Sequence, residues 1–454
     1  MIISPAPGAA VATSVEGLPG RAARWPAVRR PSLPVLALVA VCAISLAARA
    51  AWLGAPCHAS CRSSTDHTLI FDEIYYVNAA RVIAGIHPPA RSPYADAPLG
   101  VDPNAEHPPL AKLIIAGSIE LLGDGPLAWR LGSLVMGTLA IVGMFALARG
   151  AGAGRWVAVA AAALMAADNL TIVSGRIGTL DIYALAAMVW AAALYVRGHP
   201  LAAGTVAGIG LCAKIVVAYA LLVFVLYELL LWLARRDRPV ARAWRASSCI
   251  VASGGVFFGL MALLERVSRS FDDATNRFVG GGPLGEIGHI ISYAAAQISP
   301  GGPSGIASYP WGWLVDYKPI IYLNINPARP APGLYDIHPA VHFLGLISPP
   351  ILLLALPALA LALRQIVLRA LPLADELPQV AVAWVAGTFL PFAFFSLAFQ
   401  RTSYLYYMLV VMPGMYLAVA WLLPRVWRWR RLTLLWIGAV VVAAVLAYPL
   451  TPLP

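Results

Sequence analysis

Residues 127–148 read LAWRLGSLVMGTLAIVGMFALA and carry a single charged side chain, Arg130. A helix of this length crosses a hydrocarbon core of about 30 Å, which needs roughly 20 apolar residues. A second run, IVVAYALLVFVLYELLLWLA at 215–234, carries only Glu228. The whole chain is 60% hydrophobic and 12% charged, about half the charged fraction of roughly 25% found in soluble domains. With a mean hydropathy of +0.76, these runs exclude a soluble fold and indicate a chain that folds in lipid.

Runs of similar character recur along the chain and predict an all-α polytopic membrane protein with about eleven transmembrane helices. The short pair at 200–234 requires two helices to share a narrow stretch on either side of Lys214. The spans are expected at 35–53, 127–148, 156–174, 178–196, 200–213, 215–234, 246–266, 341–363, 378–399, 404–423 and 432–449.

The formal charge of +11 raises the possibility of a nucleic-acid partner, so its distribution matters more than its size. Most of the basic residues lie in short clusters beside apolar runs, and with eleven spans every cluster falls on one side of the membrane. This is the positive-inside pattern, which sets topology and requires no nucleic acid. The clusters are Arg21, Arg24, Arg29 and Arg30; Arg149 and Arg155; Arg235, Arg236, Arg238, Arg242 and Arg245; Arg364 and Arg369; Arg425, Arg428, Arg430 and Arg431.

The same topology divides the chain into four parts. Residues 1–34 are expected to form a cytoplasmic basic tail, and 35–266 an N-terminal catalytic transmembrane module that includes the external loop 54–126. A second external loop covers 267–340, and further transmembrane helices cover 341–454. Neither long loop is apolar enough to cross the bilayer, and both contain stretches suited to interfacial helices. Function is therefore expected in these two loops, on the outer face of a cell membrane, and in the spans beneath them.

The segment FDEIYYVNAARVIAG near the start of the first loop has an amphipathic helical pattern that Asp72 and Glu73 interrupt. Adjacent helical residues point about 100° apart, so only one of these carboxylates can face a given ligand. We expect one to act and its neighbour to support it. A solvated acidic pair is the alternative.

The segment EHPPLAKLIIAG at 106–117 begins with a proline pair and then becomes apolar, as expected of a helix at the membrane surface. Glu106, His107 and Lys112 therefore collect at the interface, where a phosphate would meet a helix N-terminus and a cation. The alternative is that Lys112 only reaches toward lipid headgroups and His107 caps a turn.

Four further charged residues interrupt or border the apolar runs. Arg130 is costly in hydrocarbon without an anionic partner and suits a phosphate, although it could also anchor to lipid headgroups. Arg176 and Asp181 lie in the turn SGRIGTLDIY, where a mutual salt bridge is at least as plausible as a catalytic role. Lys214 lies among apolar neighbours and must find an anion, a cavity or the interface.

The second loop contains SGIASYPWGWLVDYKPIIYLN at 304–324. Its aromatic side chains suit either a sugar or peptide platform or a belt of interfacial aromatics; they are Tyr309, Trp311, Trp313, Tyr317 and Tyr322. The histidines of this part of the chain lack tight ligand spacing, so a structural metal site has little support; they are His289, His338 and His342.

The cysteines fall into two groups. Cys57 and Cys61 lie in the first external loop and could form a disulfide, with two free thiols as the alternative. The remaining three lie in apolar runs and are expected to be packing residues: Cys42, Cys212 and Cys249.

These motifs, in this order, resemble the protein O-mannosyltransferase family of C-type, lipid-carrier-dependent glycosyltransferases. The resemblance covers most of the chain after residue 50. Its most specific part is FDE at 71–73 followed by HPPLAK at 107–112. The segments around Arg130 and Lys214, RIGTLD at 176–181, the YPWGW region and QRTSYLYYMLVVMPG at 400–414 add to it.

The resemblance implies the C-type glycosyltransferase fold with its active site on the external face. It implies a polyprenyl-phosphate sugar as donor, with mannose as the family's sugar, and a Ser or Thr hydroxyl of a translocated protein as acceptor. The family's catalytic acid matches Asp72 and its acidic neighbour matches Glu73. His107, Lys112 and Arg130 fall near the acceptor or the carrier phosphate.

Combining the resemblance with the charges, we expect inverting transfer in a single displacement with Asp72 as the base. The donor phosphate is expected to meet cations drawn from Arg130, Lys112, His107, Arg176 and Lys214. Acceptor or sugar contacts are expected from Glu106, Asp181, Trp311, Trp313 and Tyr309. No metal is obligatory, because these cations are in place, although a divalent ion could take part in neutralising the phosphate.

The sequence departs from the family's pattern in two places. HPPLAK replaces the more usual HPPLGK, and the loop at 267–340 has no room for the extra lumenal domain of eukaryotic members. A transferase of the same fold that moves an amino-pentose, arabinose or hexose to a lipid or cell-wall glycan therefore remains the alternative. A transporter would place its polar residues near the bilayer midplane, whereas here most of them lie at the outer interface.

Overall fold

The computed structural model describes residues 32–57, 63, 66–325, 341–372 and 374–450. Most of the basic tail, Cys61 and His338 lie outside these ranges. Sixteen α-helices run through the described residues: α1 Leu33–Ala50, α2 Glu73–Ile83, α3 Leu110–Leu122, α4 Pro126–Gly150, α5 Arg155–Ala167, α6 Asn169–Ser174, α7 Asp181–Val196, α8 Pro200–Leu211, α9 Ala218–Arg235, α10 Pro239–Val267, α11 Gly282–Ala296, α12 Pro310–Trp313, α13 Pro349–Val367, α14 Leu377–Phe399, α15 Met408–Val426 and α16 Arg430–Leu446.

Two small antiparallel ribbons accompany the helices and belong to the second external segment and its return to the membrane. The first pairs β1 Phe271–Asp272 with β2 Arg277–Phe278. The second pairs β3 Ile320–Ile325 with β4 Val341–Gly345, with an irregularity between Ile321 and Leu323.

The predicted polytopic, mainly helical fold is confirmed, and each expected span contains a helix. Seven segments of the described chain are long and apolar enough to cross a membrane: Leu33–Ala50, Pro126–Gly150, Ile215–Arg235, Pro239–Val267, Pro349–Val367, Leu377–Phe399 and Leu405–Leu446. Three shorter apolar helices, α5, α7 and α8, lie between them. The interfacial helices expected in the two loops correspond to α2 and α3 in the first, and to α11 and α12 in the second.

Two predicted spans differ in detail from the structure. The span expected at 156–174 is interrupted at Asp168, whose side chain accepts a hydrogen bond from the Leu170 N–H and so starts a new helix. The span expected from 341 begins instead as strand β4. Its helix starts only at Pro349, because a proline pair at the first helical positions favours a fresh start there.

Close helix packing depends on small residues where α8 crosses α10. A Cβ atom at Gly204 would lie 2.3 Å from the carbonyl oxygen of Cys249, and one at Gly208 would lie 2.6 Å from that of Ser253. Spaced four residues apart, the two glycines form the small-residue stripe that lets membrane helices approach backbone to backbone.

The short basic connections between helices meet at one end of the bundle. The Glu376 N–H donates to Ala151 O, Arg235 pairs with Glu376 at 2.7 Å, and Arg245 donates to Tyr195 O. Arg425 likewise pairs with Asp375 at 3.2 Å. Because these connections contact one another, the described parts of the two long segments lie at the opposite end, where α2, α11 and the residues 104–107 before α3 line a cavity.

Candidate active site

A cavity of about 940 Å³ lies where the two long segments meet the ends of the transmembrane helices. Ionisable side chains from both halves of the chain line it: Asp72, Glu106, His107, Asp181, Lys214 and Arg401. The rest of the lining is mostly apolar or aromatic. It comes from α11, from the end of α14 and from the tyrosines before α15. One site thus joins residues that are hundreds of positions apart.

Asp72 faces this cavity from the start of α2. The preceding residue, Phe71, has a left-handed backbone with φ of +55°, a conformation that bulky residues rarely adopt. Its ring stacks on Tyr322 at 4.1 Å and meets the edge of Tyr406 at 5.6 Å. This packed turn directs the Asp72 side chain into the cavity.

The Asp72 carboxylate has the electrostatic character of a base that works near neutral pH. Burial raises its pKa to about 6, with Lys214 opposing the rise and Asp181 adding to it. Within the described residues no hydrogen bond to this carboxylate is formed. Its oxygens therefore remain available to a ligand in the cavity.

Glu73 turns away from the cavity, as the helical geometry of the pair predicts. Its carboxylate accepts hydrogen bonds from the Arg130 guanidinium at 2.8 and 2.7 Å, and from the backbone N–H groups of Ile70 and Gly178 at 2.7 and 2.6 Å. Both side chains of the ion pair are fully buried. Glu73 therefore fixes the start of α2 against α4, beside Asp72, which faces the cavity.

Arg130 is not brought to the cavity. Besides Glu73, its guanidinium donates to the carbonyl oxygens of Leu53, Ala55 and Thr68. All its donor directions are used inside the protein, because a buried guanidinium must have its hydrogen bonds satisfied. The phosphate contact expected of Arg130 from the sequence is not available in this arrangement.

Lys112 has a similar internal role. It pairs with Asp102 at 2.6 Å, both side chains being fully buried, and donates to the carbonyl oxygens of Asn104 and His107. The ammonium group is thus held inside the protein by one carboxylate and two carbonyl oxygens. Lys112 therefore holds the segment 102–107 in place through these contacts and does not line the cavity.

The segment that Lys112 holds presents Glu106 and His107 to the cavity. The Asn104 amide donates to Glu106 at 2.6 Å and to the hydroxyl of Tyr94 at 2.9 Å. Burial raises the pKa of Glu106, whereas burial together with Lys214, Lys112 and Arg401 holds the pKa of His107 well below its usual value. His107 is therefore neutral and can act only as a hydrogen-bonding group.

Lys214 and Asp181 both line the cavity and pair with each other at 2.7 Å. Asp181 starts α7, and Lys214 precedes the 3₁₀ turn Ile215–Val217 that leads into α9. The Lys214 ammonium also lies 5.9 Å from the centre of the Tyr406 ring. Lys214, which the sequence shows isolated among apolar neighbours, thus both pairs with an anion, Asp181, and lines the cavity.

Arg176 and Asp181 do not form the mutual salt bridge considered from the sequence. Arg176 instead donates to the carbonyl oxygens of Ala48, Ala51 and Trp52 and to the Tyr448 hydroxyl, and its side chain is fully buried. It satisfies carbonyl groups at the C-terminal end of α1, which have no partner within the helix. It does not line the cavity.

The aromatic residues expected to contact acceptor or sugar also lie outside the cavity lining. Tyr309 and Trp311 stack on each other at 4.5 Å on the surface of the second segment, and both are exposed. Trp313 is fully buried, donates to Ser308 Oγ at 2.9 Å and packs edge-on against Phe389 and Phe392. Trp313 thus anchors the second segment to α14.

Arg401 is the main site residue that the charge analysis missed. It follows α14 directly and lines the cavity, and one of its nitrogens donates to the carbonyl oxygen of Ala294 on α11. It forms no ion pair with the described carboxylates. The available signal was its place in QRTSYLYYMLVVMPG, where it is the only charged side chain.

A metal site built by the protein is not apparent in the part of the chain that the structure describes. No group of three or more His, Cys, Asp or Glu residues there is placed to hold an ion.

Cys57 is disulfide-bonded, whereas Cys42, Cys212 and Cys249 are free and at least partly buried, as expected of packing residues.

Comparison with known proteins agrees with this architecture. Residues 106–254 match the family model described as dolichyl-phosphate-mannose-protein mannosyltransferase. The polyprenol-phosphate-mannose–protein mannosyltransferase of Mycolicibacterium smegmatis is 26% identical over 373 residues, which cover 70% of each chain. The protein of the same name from Corynebacterium glutamicum is 34% identical over 134 residues, or 29% of this chain and 25% of that one. These matches support the resemblance to the protein O-mannosyltransferase family.

Solved structures show that the fold is shared well beyond sequence similarity. The Saccharomyces cerevisiae protein O-mannosyltransferase Pmt1-Pmt2 complex, bound to the sugar donor, matches with a TM-score of 0.67 at 11% identity, over 92% of this chain and 90% of that chain. ArnT from Cupriavidus metallidurans, bound to undecaprenyl phosphate, matches with a TM-score of 0.55 at 20% identity, over 91% of this chain and 64% of that chain. The C-type glycosyltransferase fold expected from the sequence is confirmed, and the chain is a multi-pass membrane glycosyltransferase.

The geometry of the cavity suits transfer chemistry at one point. A carboxylate with a raised pKa shares the cavity with an ammonium and a guanidinium. A base and two cations in one enclosure can deprotonate a hydroxyl and stabilise a departing phosphate together.

Proposed function

We propose that this protein transfers mannose from a polyprenyl-phosphate carrier to a Ser or Thr hydroxyl of a translocated protein. The observation that carries the proposal is the placement of Asp72. Its carboxylate is without a hydrogen-bond partner among the described residues, and it opens into the same cavity as Lys214 and Arg401. The names of the mycobacterial and corynebacterial relatives support the donor and the type of acceptor.

In the proposed reaction, Asp72 accepts the proton of the acceptor hydroxyl as its oxygen attacks the anomeric carbon. The new C–O bond forms on one face of the sugar while the bond to the phosphate oxygen breaks on the other, so the configuration inverts. The carrier leaves as polyprenyl phosphate with the electron pair of the broken bond. A pKa near 6 leaves Asp72 mostly ionised at neutral pH and still a useful base.

Negative charge grows on the phosphate as it leaves, and we assign its stabilisation to Arg401 and Lys214. Both side chains line the cavity, whereas Lys112, Arg130 and Arg176 are occupied by partners inside the protein. Interactions that strengthen in the transition state raise the turnover rate, and the partly apolar cavity strengthens each of them. This division gives the buried cations a role in building the walls and the cavity cations a role in chemistry.

The apolar side of the cavity supports a lipid-linked donor. Phe395 and Phe399 at the end of α14 and Ile291 on α11 line it and are also exposed outside it. A sugar phosphate could lie among the charged groups while its isoprenoid chain follows these side chains toward lipid. We place this end of the molecule on the external face of the plasma membrane, opposite the basic connections.

The test uses purified protein, radiolabelled polyprenyl-phosphate mannose and a Ser/Thr-rich peptide, with Asp72→Asn compared with the wild type. We expect the variant to transfer label about 10²–10⁴-fold more slowly. Asp96→Asn, which alters an exposed carboxylate in the same external segment, is the matched control and should remain active.

Equal transfer by the wild type and Asp72→Asn would refute the assigned base. Absence of transfer by the wild type to the peptide would refute the acceptor assignment. The assay is then repeated with polyprenyl-phosphate amino-pentose, arabinose and hexose as donors and with glycolipids as acceptors. Transfer in one of these reactions would identify the alternative transferase.

A further inference from the structure

Tyr322 is an aromatic residue beside the site to which the proposed reaction gives no part. Its ring stacks face to face on Phe71, with the ring centres 4.1 Å apart and an angle of 13° between the ring planes, which is close for an aromatic pair. Phe71 lines the cavity, whereas Tyr322 does not. Tyr322 therefore contacts the wall of the cavity without being part of its lining.

The backbone at Tyr322 departs from regular strand pairing. Its neighbours Ile321 and Leu323 pair with adjacent residues of β4, so Tyr322 is an extra residue in β3. Adjacent residues of a regular strand face opposite sides, yet Tyr322 and Leu323 both pack against the same buried cluster. This is a β-bulge, a feature that redirects a side chain and is frequent beside active sites. The bulge explains why the Tyr322 ring lies over Phe71.

Strand β4, which carries this bulged strand, is fastened to the membrane-spanning part of the protein. The Asn169 side chain at the start of α6 donates to the Leu344 carbonyl oxygen at 2.5 Å, and the His342 N–H donates to Pro449 O at 2.7 Å. Phe343, between these two contacts, is fully buried. The ribbon is therefore a fixed base for the side chain that its bulge presents.

The ring of Tyr322 is also confined from the side of β4. A Cβ atom at Gly345 would lie 2.9 Å from the Tyr322 hydroxyl oxygen and 3.0 Å from two of its ring carbons. These distances are well below the optimal separation of about 3.5–4.0 Å, so a larger residue would displace the ring. Glycine at this position leaves room for the ring in its stacked place.

Phe71 needs support because its backbone is left-handed, with φ of +55°. A bulky residue keeps this conformation only where its surroundings impose it. Tyr322 covers one face of the Phe71 ring, and Tyr406 meets the ring edge-on at 5.6 Å. Without the stack, Phe71 is expected to relax toward an ordinary conformation and to turn the next residue, Asp72, away from its present direction.

We propose that Tyr322 is a positioning residue for the base: the bulge of β3 holds its ring against Phe71, which keeps the left-handed turn that aims Asp72 into the cavity. The proposal rests on the role assigned to Asp72 in the proposed function. Tyr322 itself contacts neither donor nor acceptor. Its loss should lower kcat and leave the donor KM nearly unchanged, because Arg401 and Lys214 belong to other elements.

The experiment measures kcat and donor KM for three variants. Tyr322→Ala removes the stacked ring and should lower kcat about 10–10²-fold, as expected when a catalytic group is displaced. Tyr322→Phe keeps the ring and should retain the wild-type kcat. Gly345→Ala displaces the ring without altering it and should lower kcat in the same way. Tyr317→Ala, an exposed change of the same type in the same segment, is the matched control.

A double-variant cycle tests whether Tyr322 acts through Phe71. Glycine adopts a left-handed backbone at no steric cost, so the turn in a Phe71→Gly enzyme does not depend on a stacked ring. Tyr322→Ala should therefore cause little further loss of kcat in the Phe71→Gly background. An equal loss in both backgrounds would show that the two residues act independently and would overturn the proposal.

A second measurement does not depend on mannose transfer. Backbone hydrogen bonds within residues 70–76 hold the turn and the start of α2. Amide hydrogen exchange over this range should be faster in Tyr322→Ala and Gly345→Ala, and unchanged in Tyr322→Phe and Tyr317→Ala. Gly345→Ala and Tyr322→Phe provide the same comparison if Tyr322→Ala does not fold.

Unchanged exchange in Tyr322→Ala, or a Phe variant that behaves like the Ala variant, would overturn the proposal. Faster exchange in an active enzyme with an unaltered kcat, or with a loss confined to the donor KM, would overturn the link to Asp72. Faster exchange combined with a wild type that transfers no mannose would support the stacked turn and refute the proposed function instead.

Discussion

The carboxylate of Glu73 binds the guanidinium of Arg130 through two hydrogen bonds of 2.8 and 2.7 Å, and neither side chain is exposed to solvent. The pair ties α2 to α4 directly beside Asp72. Two adjacent acidic residues therefore divide their work: the first faces the cavity, and the second fixes the helix that presents it. A charge in the wall of a membrane active site can thus be structural.

Breaking this pair should destabilise the protein more than it alters donor binding. Arg130→Ala leaves a buried carboxylate without its cation, a change that typically costs about 3–5 kcal/mol. Thermal unfolding in detergent should show a clear fall in the midpoint for Arg130→Ala and for Glu73→Ala. Exposed Glu120→Ala on α3 serves as the control, and a midpoint equal to the wild type in Arg130→Ala would contradict the structural role.

The base assigned to Asp72 predicts how activity depends on acid pH. Only the ionised carboxylate accepts a proton, so kcat/KM should fall about tenfold for each pH unit below the pKa of about 6. Initial rates between pH 4.5 and 8 would show this fall, which is the acid limb of the pH profile. The fraction of folded protein is monitored at each pH. A rate that stays constant down to pH 5 would argue against Asp72 as the base.

Lys214 should tune this limb as well as bind phosphate. Its positive charge lowers the pKa of Asp72, so Lys214→Met should move the acid limb toward higher pH while reducing donor affinity. The double variant Lys214→Met/Asp181→Asn removes both charges that act on Asp72 in opposite directions, and its limb should lie closer to that of the wild type. A limb that does not move in Lys214→Met would show that Lys214 does not act on the base.

The sequence could predict the helices better than the partners of their charges. Apolar length predicted where most of the spans lie, and the resemblance pointed to Asp72, His107 and Lys214, which all line the cavity. The sequence could not show that Lys112 forms an ion pair with Asp102, and Arg130 with Glu73. Distance along the chain does not reveal which buried cation has an internal anion, because these pairs are set by tertiary contacts.

Arg401 is a cavity residue that the sequence alone could not single out. A single arginine after an apolar run suits a headgroup anchor as well as a site residue, and only its hydrogen bond to α11 places it at the cavity. The interruption at Asp168 and the strand at 341–345 were hidden for a similar reason. Short polar breaks within apolar runs depend on partners that a hydropathy pattern does not contain.

Replacing Arg401 should weaken donor binding without unfolding the protein, because its guanidinium is half-buried and forms no ion pair with the described carboxylates. Arg401→Gln removes a charge-assisted contact with phosphate, typically about 1.5–3 kcal/mol, so the donor KM should rise roughly tenfold or more. Arg401→Lys should recover part of the loss. Arg266→Gln, an exposed change at the end of α10, controls for net charge, and an unchanged donor KM in Arg401→Gln would exclude the contact.

The sidedness of the site follows from where the basic connections meet. Arg235, Arg245 and Arg425 lie at the end of the bundle opposite the cavity, and clusters of this kind remain on the cytoplasmic side. A membrane-impermeant maleimide added to intact cells should therefore label Asp96→Cys, in the segment around the cavity, and leave Ala241→Cys at the start of α10 unlabelled. Both positions are exposed, so both should react after permeabilisation, and the wild type gives the background of the native cysteines. Labelling of Ala241→Cys alone in intact cells would invert the molecule and place the reaction on the cytoplasmic leaflet, where a translocated protein could not be its acceptor.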